Sequence, residues 1–286
     1  MSLFIAAGHQ GQRIVSENGA DWKHQALGKE GEVYRAAAAG NGVYVAVGTF
    51  GGNNILASTH DGENWKTLQK DGKYKYKLSS VGFGDGLFVA VGGEPVTVGA
   101  QTGFVMHSKN GDDWSEIIPI AGKYIIRRMA YGNKLWVGVG DRGRRAASTD
   151  GKEWKDAPEA KAIDTLVDVA FGNGVFAGVG LNSLRMSSAD GLKWEHKQRG
   201  EEGEHLNSVV FAKNQFVALG LGATYTSPDA IAWKRATNSD APLSMCFGNE
   251  LFVGVNWRGR IMTSPDAINW KQVYKSEHHF EALAFG

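Results

Sequence analysis

The residues of this chain best suited to chemistry are cationic. Lys73, Lys75 and Lys77 alternate with Tyr74 and Tyr76, and further along lie Arg127 and Arg128, then Arg142, Arg144 and Arg145. Guanidinium forks match carboxylates, sulfates and phosphates two hydrogen bonds at a time, and tyrosine rings stack on sugar faces. Such a set points to an anionic ligand, a glycan foremost, bound without bond breaking. The same side chains also read as a solvated rim paired with Glu94, Asp141 and nearby acids. A second chemistry would need two carboxylates about 5 to 10 Å apart, as in glycoside hydrolysis. Asp141, Asp168, Glu281 and Glu94 are the available acids, and the sequence does not show that any two of them converge. His278 and His279, with His9, raise a metal. A metal needs three or four converging ligands and no spacing motif vouches for them, so they read as surface histidines. No phosphate loop, nucleophile elbow, dinucleotide fingerprint or His-Glu-x-x-His is present, and no cofactor or metal is expected.

What must position these residues is a repeat. Ser or Thr, any residue, Asp or Asn, Gly or Ala, two residues and Trp recur seven times: 16–22, 59–65, 108–114, 148–154, 188–194, 227–233 and 264–270. Successive tryptophans are 43, 49, 40, 40, 39 and 37 residues apart, the spacing of propeller blades that are each one four-stranded sheet. The last residues, 280–286, match the segment that precedes every "FVAVG"-like strand, and Leu3 to Gly8 match the strand that should follow. The reading is therefore an all-β, closed seven-bladed β-propeller of four-stranded antiparallel blades, one blade shared between the termini, forming a single domain over 1–286. Sharing that blade removes two open sheet edges.

Within each repeat a Gly-Asp-Gly or Gly-Asn-Gly turn joins strand A, such as Ser80 to Phe83, to strand B, such as Leu87 to Val91. Strand C precedes the Ser-x-Asp-Gly hairpin and strand D begins near the Trp. Small residues alternate with large ones on strand A, and Cys246 falls in the small series as a buried, inert packing residue. The D-to-A and B-to-C connections share one face with the channel mouth, the default ligand site. Aligned repeats place Arg35, Ser79, Arg127, Val167, Asn207, Leu243 and Glu281 at equivalent positions there, with Arg128 and Asp168 one step on. After strand B the equivalent loop positions hold His9 and Gln10, Asp141 and Arg142, Leu181 and Asn182, Trp257 and Arg258. The B-to-C loop is longer in the second copy (49–54) and much longer in the third (93–103), and insertions on one face of a repeat protein often mark the binding face. The expected ligand-binding set, centred on a basic patch for an anionic ligand over copies two to four, is Tyr74, Tyr76, Arg127, Arg128, Asp141, Arg142, Arg144, Asp168 and Glu281.

The seven hairpins resemble the Asp-box, or BNR, repeats of the sialidase-like superfamily over the whole chain. The match departs in one place: Asp61, Asp150, Asp190, Asp229 and Asp266 lie four residues before their Trp, where the usual pattern has five. The resemblance implies a turn-building role for these aspartates, on the face opposite the usual ligand site. Active sialidases would also require an arginine triad, a Tyr nucleophile with a Glu partner, an Asp acid/base and an early Phe/Tyr-Arg-Ile-Pro. Here Tyr34-Arg35-Ala36-Ala37 keeps only the Tyr-Arg, and the blade count is seven where catalytic sialidases have six. No catalytic residue is carried over, and the resemblance implies a non-catalytic member.

Bulk composition narrows the classes further. Thirty-one basic and thirty acidic residues leave a formal charge of +1, no global field for nucleic acid or an anionic membrane. A single cysteine excludes an intramolecular disulfide. No run approaches the roughly 18 apolar residues of a membrane span, and the sequence as given opens without a signal peptide, which leans toward the cytoplasm. Three functions follow in order: a recognition module for a glycan or other anionic ligand, a protein-interaction scaffold or assembly factor, and a glycoside hydrolase. The protein is expected to be a monomer with a glycan or protein partner.

Overall fold

A computed structural model describes residues 2–68, 77–93, 103–158 and 161–286. Among these residues twenty-eight strands form seven four-stranded antiparallel sheets. Their innermost strands are Phe280–Phe285 in blade I, Val33–Gly40 in II, Lys77–Gly84 in III, Ile126–Gly132 in IV, Leu166–Gly172 in V, Leu206–Ala212 in VI and Ser244–Gly248 in VII. Each inner strand packs against that of the next blade, and VII packs against I, so the ring is closed. Blade I is the shared one. Phe280–Phe285 pairs with Phe4–Gly8, and Leu3 and Gly286 exchange backbone hydrogen bonds of 2.9 and 3.3 Å.

The Asp-box hairpins are built as the sequence implies. In blade II the Thr59 hydroxyl accepts from the Gly62 N–H at 2.9 Å, Asp61 Oδ1 accepts from the N–H groups of Glu63 and Asn64, and Trp65 Nε1 donates to the Gly62 carbonyl at 3.0 Å. Gly62 has φ +77°, and a Cβ there would come within 2.6 Å of Val15 on blade I, so this turn is also a joint between blades. The cores between blades combine alternate valines with an aromatic pair across the first two strands of every blade but II, where Ala39 faces Tyr44; Phe171 and Phe176, at 4.8 Å between centroids, are one such pair. Cys246 lies on the inner strand of blade VII, and burial pushes its thiol up to about 12, where it stays protonated and unreactive at neutral pH.

One irregularity recurs. In blades I to VI the pairing between first and second strands skips a residue: Glu281, Arg35, Ser79, Arg127, Val167 and Asn207 in turn have no partner in the register. A bulge re-aims its unpaired side chain. It also explains the glycine that faces the bulge near the end of the second strand: a Cβ on Gly140 would stand 2.0 Å from the Ile125 carbonyl oxygen, where the bulged strand crowds in.

Candidate binding site

The bulges gather their unpaired residues at one end of the channel. A cavity of about 650 Å³ opens there, lined by Arg35, Lys77, Ser79, Arg127, Arg128, Asp141, Val167 and Glu281, with the second-strand ends Thr49, Gly93 and Gly140. Four of these are cations and two are carboxylates, a local positive surplus in a chain of formal charge +1. A second cavity of about 190 Å³ is lined by the next ring of the same strands: Ser80, Arg128, Asp168, Ser208 and Ser244, with Arg35 and Glu281.

The charges at the mouth are held in place. Arg35 Nη1 reaches both oxygens of Glu281, at 2.7 and 2.6 Å, and His9 Nε2 lies 2.6 Å from the first of them. Burial works against ionisation of Glu281, but the His9 hydrogen bond and the Arg35 guanidinium outweigh it and hold the carboxyl below its usual range. Arg127 binds Asp141 bidentately, with both contacts at 2.8 Å. Arg128 Nη1 donates to the carbonyls of Ser79 and Arg127 at 2.9 and 3.0 Å. Asp168 is pushed up by burial, against the pull of Arg128 and of the Val209 and Val169 N–H groups that it accepts at 2.9 and 3.0 Å. The Arg35 and Arg127 side chains remain 43% and 50% exposed, so both can share their donors with an incoming carboxylate.

Of the residues expected from sequence, the structure brings Arg127, Arg128, Asp141, Asp168 and Glu281 together around the channel. Arg142 and Arg144 do not join them. They line a separate cavity of about 330 Å³ with Tyr124, Arg145 and Asp156. Arg142 sits at a left-handed turn position, φ +51°, and stacks on Tyr124 at 5.5 Å. Arg144 follows the turn with its side chain 2% exposed, bound to Asp156 at 3.0 Å and to the carbonyls of Tyr124 and Ala121, so it is structural. Tyr74, Tyr76, Glu94 and most of the third-copy insertion lie outside the described residues. Arg35, aligned with Arg127 by the repeat but left out of the expected ligand set, belongs to the mouth.

Among the acids, Asp141 and Glu281 are each engaged by an arginine and Asp168 by backbone N–H groups, an arrangement suited to fixing cations. His279 serves the fold: its Nδ1 accepts from the Arg258 N–H at 2.5 Å and its ring meets His9 edge-on at 5.2 Å. Among the described residues no group of three or more His, Cys, Asp or Glu is placed to hold a metal. Buried arginines rivet neighbouring blades, and of these the sequence singled out Arg145 alone, as one of the ligand-facing cations. Arg13 lies over Tyr34 and Trp65 at 5.4 Å, Arg145 over Trp194 at 5.6 Å and Arg185 over Tyr225 at 4.0 Å, each starting the third strand of its blade.

Closed ring and BNR-type hairpins define a seven-bladed β-propeller of BNR-type repeats, with the bulged inner strands forming a charged channel mouth. Within that class the match is specific: the family model of the photosynthesis system II assembly factor YCF48 fits residues 10–174, and the chain belongs to this family. Among solved structures it is similar to YCF48 bound to D1 peptide, at 15% identity and TM-score 0.62, covering 90% of this chain and 83% of that one. It is similar to YCF48 from Cyanidioschyzon merolae at 13% identity and TM-score 0.56, covering 90% and 87%. A virginiamycin B lyase from Staphylococcus aureus shares 6% identity at TM-score 0.68, covering 85% and 84%. At these identities the solved structures speak for the fold alone. No curated protein matches the sequence.

Proposed function

We propose that this protein is an interaction scaffold of the assembly-factor kind, which holds an acidic segment of a partner protein at its channel mouth. The observation that carries the reading is membership of the YCF48 family, one solved member of which is described as bound to a D1 peptide. The geometry supports it. Arg35 and Arg127 present exposed guanidinium groups beside Lys77 and Arg128, over a cavity roomy enough for side chains of an extended chain. A polypeptide supplies carboxylates from Asp, Glu or its own C-terminus, and bidentate capture by fixed arginines gives register as well as attraction. An anionic glycan would use the same cations. Its further support comes from Tyr74 and Tyr76, outside the described residues, and the comparisons point to a protein partner instead.

The test uses two fluorescein-labelled ten-residue peptides, one rich in Glu and Asp with a free C-terminal carboxylate, the other with Gln and Asn and an amidated end. The acidic peptide should bind with an affinity that falls as salt rises, and Arg35→Ala/Arg127→Ala should weaken it about tenfold or more. Equal binding of the two peptides, or an unaffected double variant, would remove the mouth as the site.

A further inference from the structure

The arginines occupy only one arc of the mouth, and the rest of the same face carries the opposite chemistry. Six large hydrophobic side chains are exposed among the described residues, and five of them lie in connections of the mouth face: Leu27, Ile163, Leu181, Leu221 and Trp257. Three occupy one slot. Leu181, Leu221 and Trp257 are each the first residue after the second strand of blades V, VI and VII, exposed by 42%, 73% and 66%. In blade IV that slot holds Asp141, the partner of Arg127. Leu181 and Trp257 open short 3-10 turns whose next residues, Asn182 and Arg258, take left-handed backbone at φ +56° and +62°. Blades IV, V and VII share such a turn after the second strand, and blades V, VI and VII fill the first position after that strand with Leu, Leu and Trp.

This arc adjoins the charged one. Ile163, 73% exposed, sits in the turn leading to Thr165, Leu166 and Val167, which line the 650 Å³ cavity together with Arg127 and Arg128. Large apolar groups grouped on one exposed face cost solubility unless something covers them. We infer that blades V to VII take large apolar side chains of the same partner segment whose carboxylates the mouth arginines hold, so that the partner is an acidic and apolar peptide. The inference rests on the proposed protein-binding function and deepens it. Charge decides the occupant: cations at the mouth and the exposed Arg258 beside Trp257 favour a chain that carries carboxylates next to its apolar residues.

Two labelled probes separate this inference from the reading beneath it. Both are ten-residue free acids with the same Glu and Asp residues; probe one adds Leu, Phe and Leu, and probe two has Ser in their place. Wild-type protein should bind probe one about tenfold more tightly than probe two. Leu221→Ser/Trp257→Ser should reduce probe one to the affinity of probe two, while both proteins bind probe two alike, which shows an intact mouth. Trp257 is the exposed one of nine tryptophans, so probe one should also shield part of the emission from acrylamide and probe two should not. Equal affinities of the two probes for wild-type protein would overturn the inference and leave the acidic-segment reading standing. Failure of both probes to bind would overturn both. A dimer, or binding to phosphatidylcholine/phosphatidylglycerol vesicles, that disappears in the double variant would assign the apolar arc to a second copy or to lipid and overturn it as well.

Discussion

His9 and Glu281 stand 272 residues apart in sequence and share a hydrogen bond of 2.6 Å between Nε2 and Oε1. The same carboxylate receives Arg35 from the next blade, so ring closure and the charged mouth meet in one side chain. Glu281→Gln should cost about 1 kcal/mol at neutral pH, the scale of a partly screened ion pair. The folded carboxyl is held below its ordinary value of 4.5, so its contribution is present above that value and is lost as pH falls through the folded pKa. The gap in stability between wild type and Glu281→Gln should therefore close in urea titrations as pH drops from 7 to 3. A gap that widens toward acid would mean that the ion pair is not what stabilises the seam.

Removal of residues 280–286 takes away the inner strand of blade I and the carbonyl of Gly286, which accepts from the Leu3 N–H and the Tyr44 hydroxyl. Blade I would then face the channel with the unpaired edge of Phe4–Gly8. The truncated chain should lose its single cooperative unfolding transition, as followed by near-ultraviolet circular dichroism. A truncation that melts within a few degrees of wild type would show that six blades hold the ring without the closing strand.

Much of this fold was legible because it is periodic. Seven Ser/Thr-x-Asp/Asn-Gly/Ala hairpins ending in Trp count the blades, and the likeness of 280–286 to other first strands predicts the closure seen between Phe285 and Phe4. Repeat alignment also found the bulge positions, though not that they are bulges. What it missed depends on neighbours distant in sequence. Arg127 and Arg142 look alike in the chain, yet a single left-handed turn separates them into different cavities. Arg144 resembles a surface cation until Asp156 and two carbonyls enclose it. Arg13 and Arg185 acquire their roles from rings on the following blade, which no local pattern encodes.

That separation makes a sharp comparison between two arginines. Arg127→Ala should weaken the acidic peptide about fivefold, because its guanidinium lines the mouth, and should leave Asp141 as an unpaired carboxylate that repels the ligand. Arg142→Ala should change the affinity by less than about twofold, since its side chain stacks on Tyr124 away from the channel. Equal losses by fluorescence anisotropy would restore a continuous basic patch across blade IV.

The hairpin joints predict a backbone effect. Gly62→Ala forces a side chain into φ +77° and within 2.6 Å of Val15, and should destabilise the protein by about 1–3 kcal/mol. Blades VI and VII already place Ala230 and Ala267 at this turn position, with φ +60° and +58° and no exposed surface, so their joints have made room for a methyl group. Ala267→Gly trades relief of that backbone against a small void and should fall within about 1 kcal/mol of wild type. A gain from Ala267→Gly as large as the loss from Gly62→Ala in chemical denaturation would show that the turn conformation, rather than the blade contact, sets the penalty.

The Asp boxes should make the ring sensitive to acid. Burial is the largest single influence on Asp266 and opposes its ionisation, but the N–H groups of Asn269 and Ile268, both at 2.9 Å from Oδ1, the Asn269 side chain and Ser264 together outweigh it and hold the carboxyl far below the usual range. Asp61, Asp150, Asp190 and Asp229 are lowered in the same sense. Blades I and III show that charge is not essential to the turn: Asn18 accepts the Ala20 and Asp21 N–H groups at 2.9 Å, and Asn110 does the same for Asp112 and Asp113. Asp266→Asn should thus keep the hairpin and cost less than about 1 kcal/mol at pH 7, the difference between a charged and a neutral acceptor. Because the folded pKa is depressed, the extra stability of the aspartate exists above its ordinary value of 3.8 and disappears as pH falls through the folded value. The gap between the variant and wild type should begin to close below about pH 4 and keep closing to the lowest pH at which the protein stays folded, and replacing all five aspartates by Asn should flatten the acid limb of the stability profile. If the acid limb is unchanged in the fivefold variant, the acid sensitivity must come from the other depressed carboxylates tied to cations: Asp112, Asp164, Glu195, Glu204, Asp240 and Glu281.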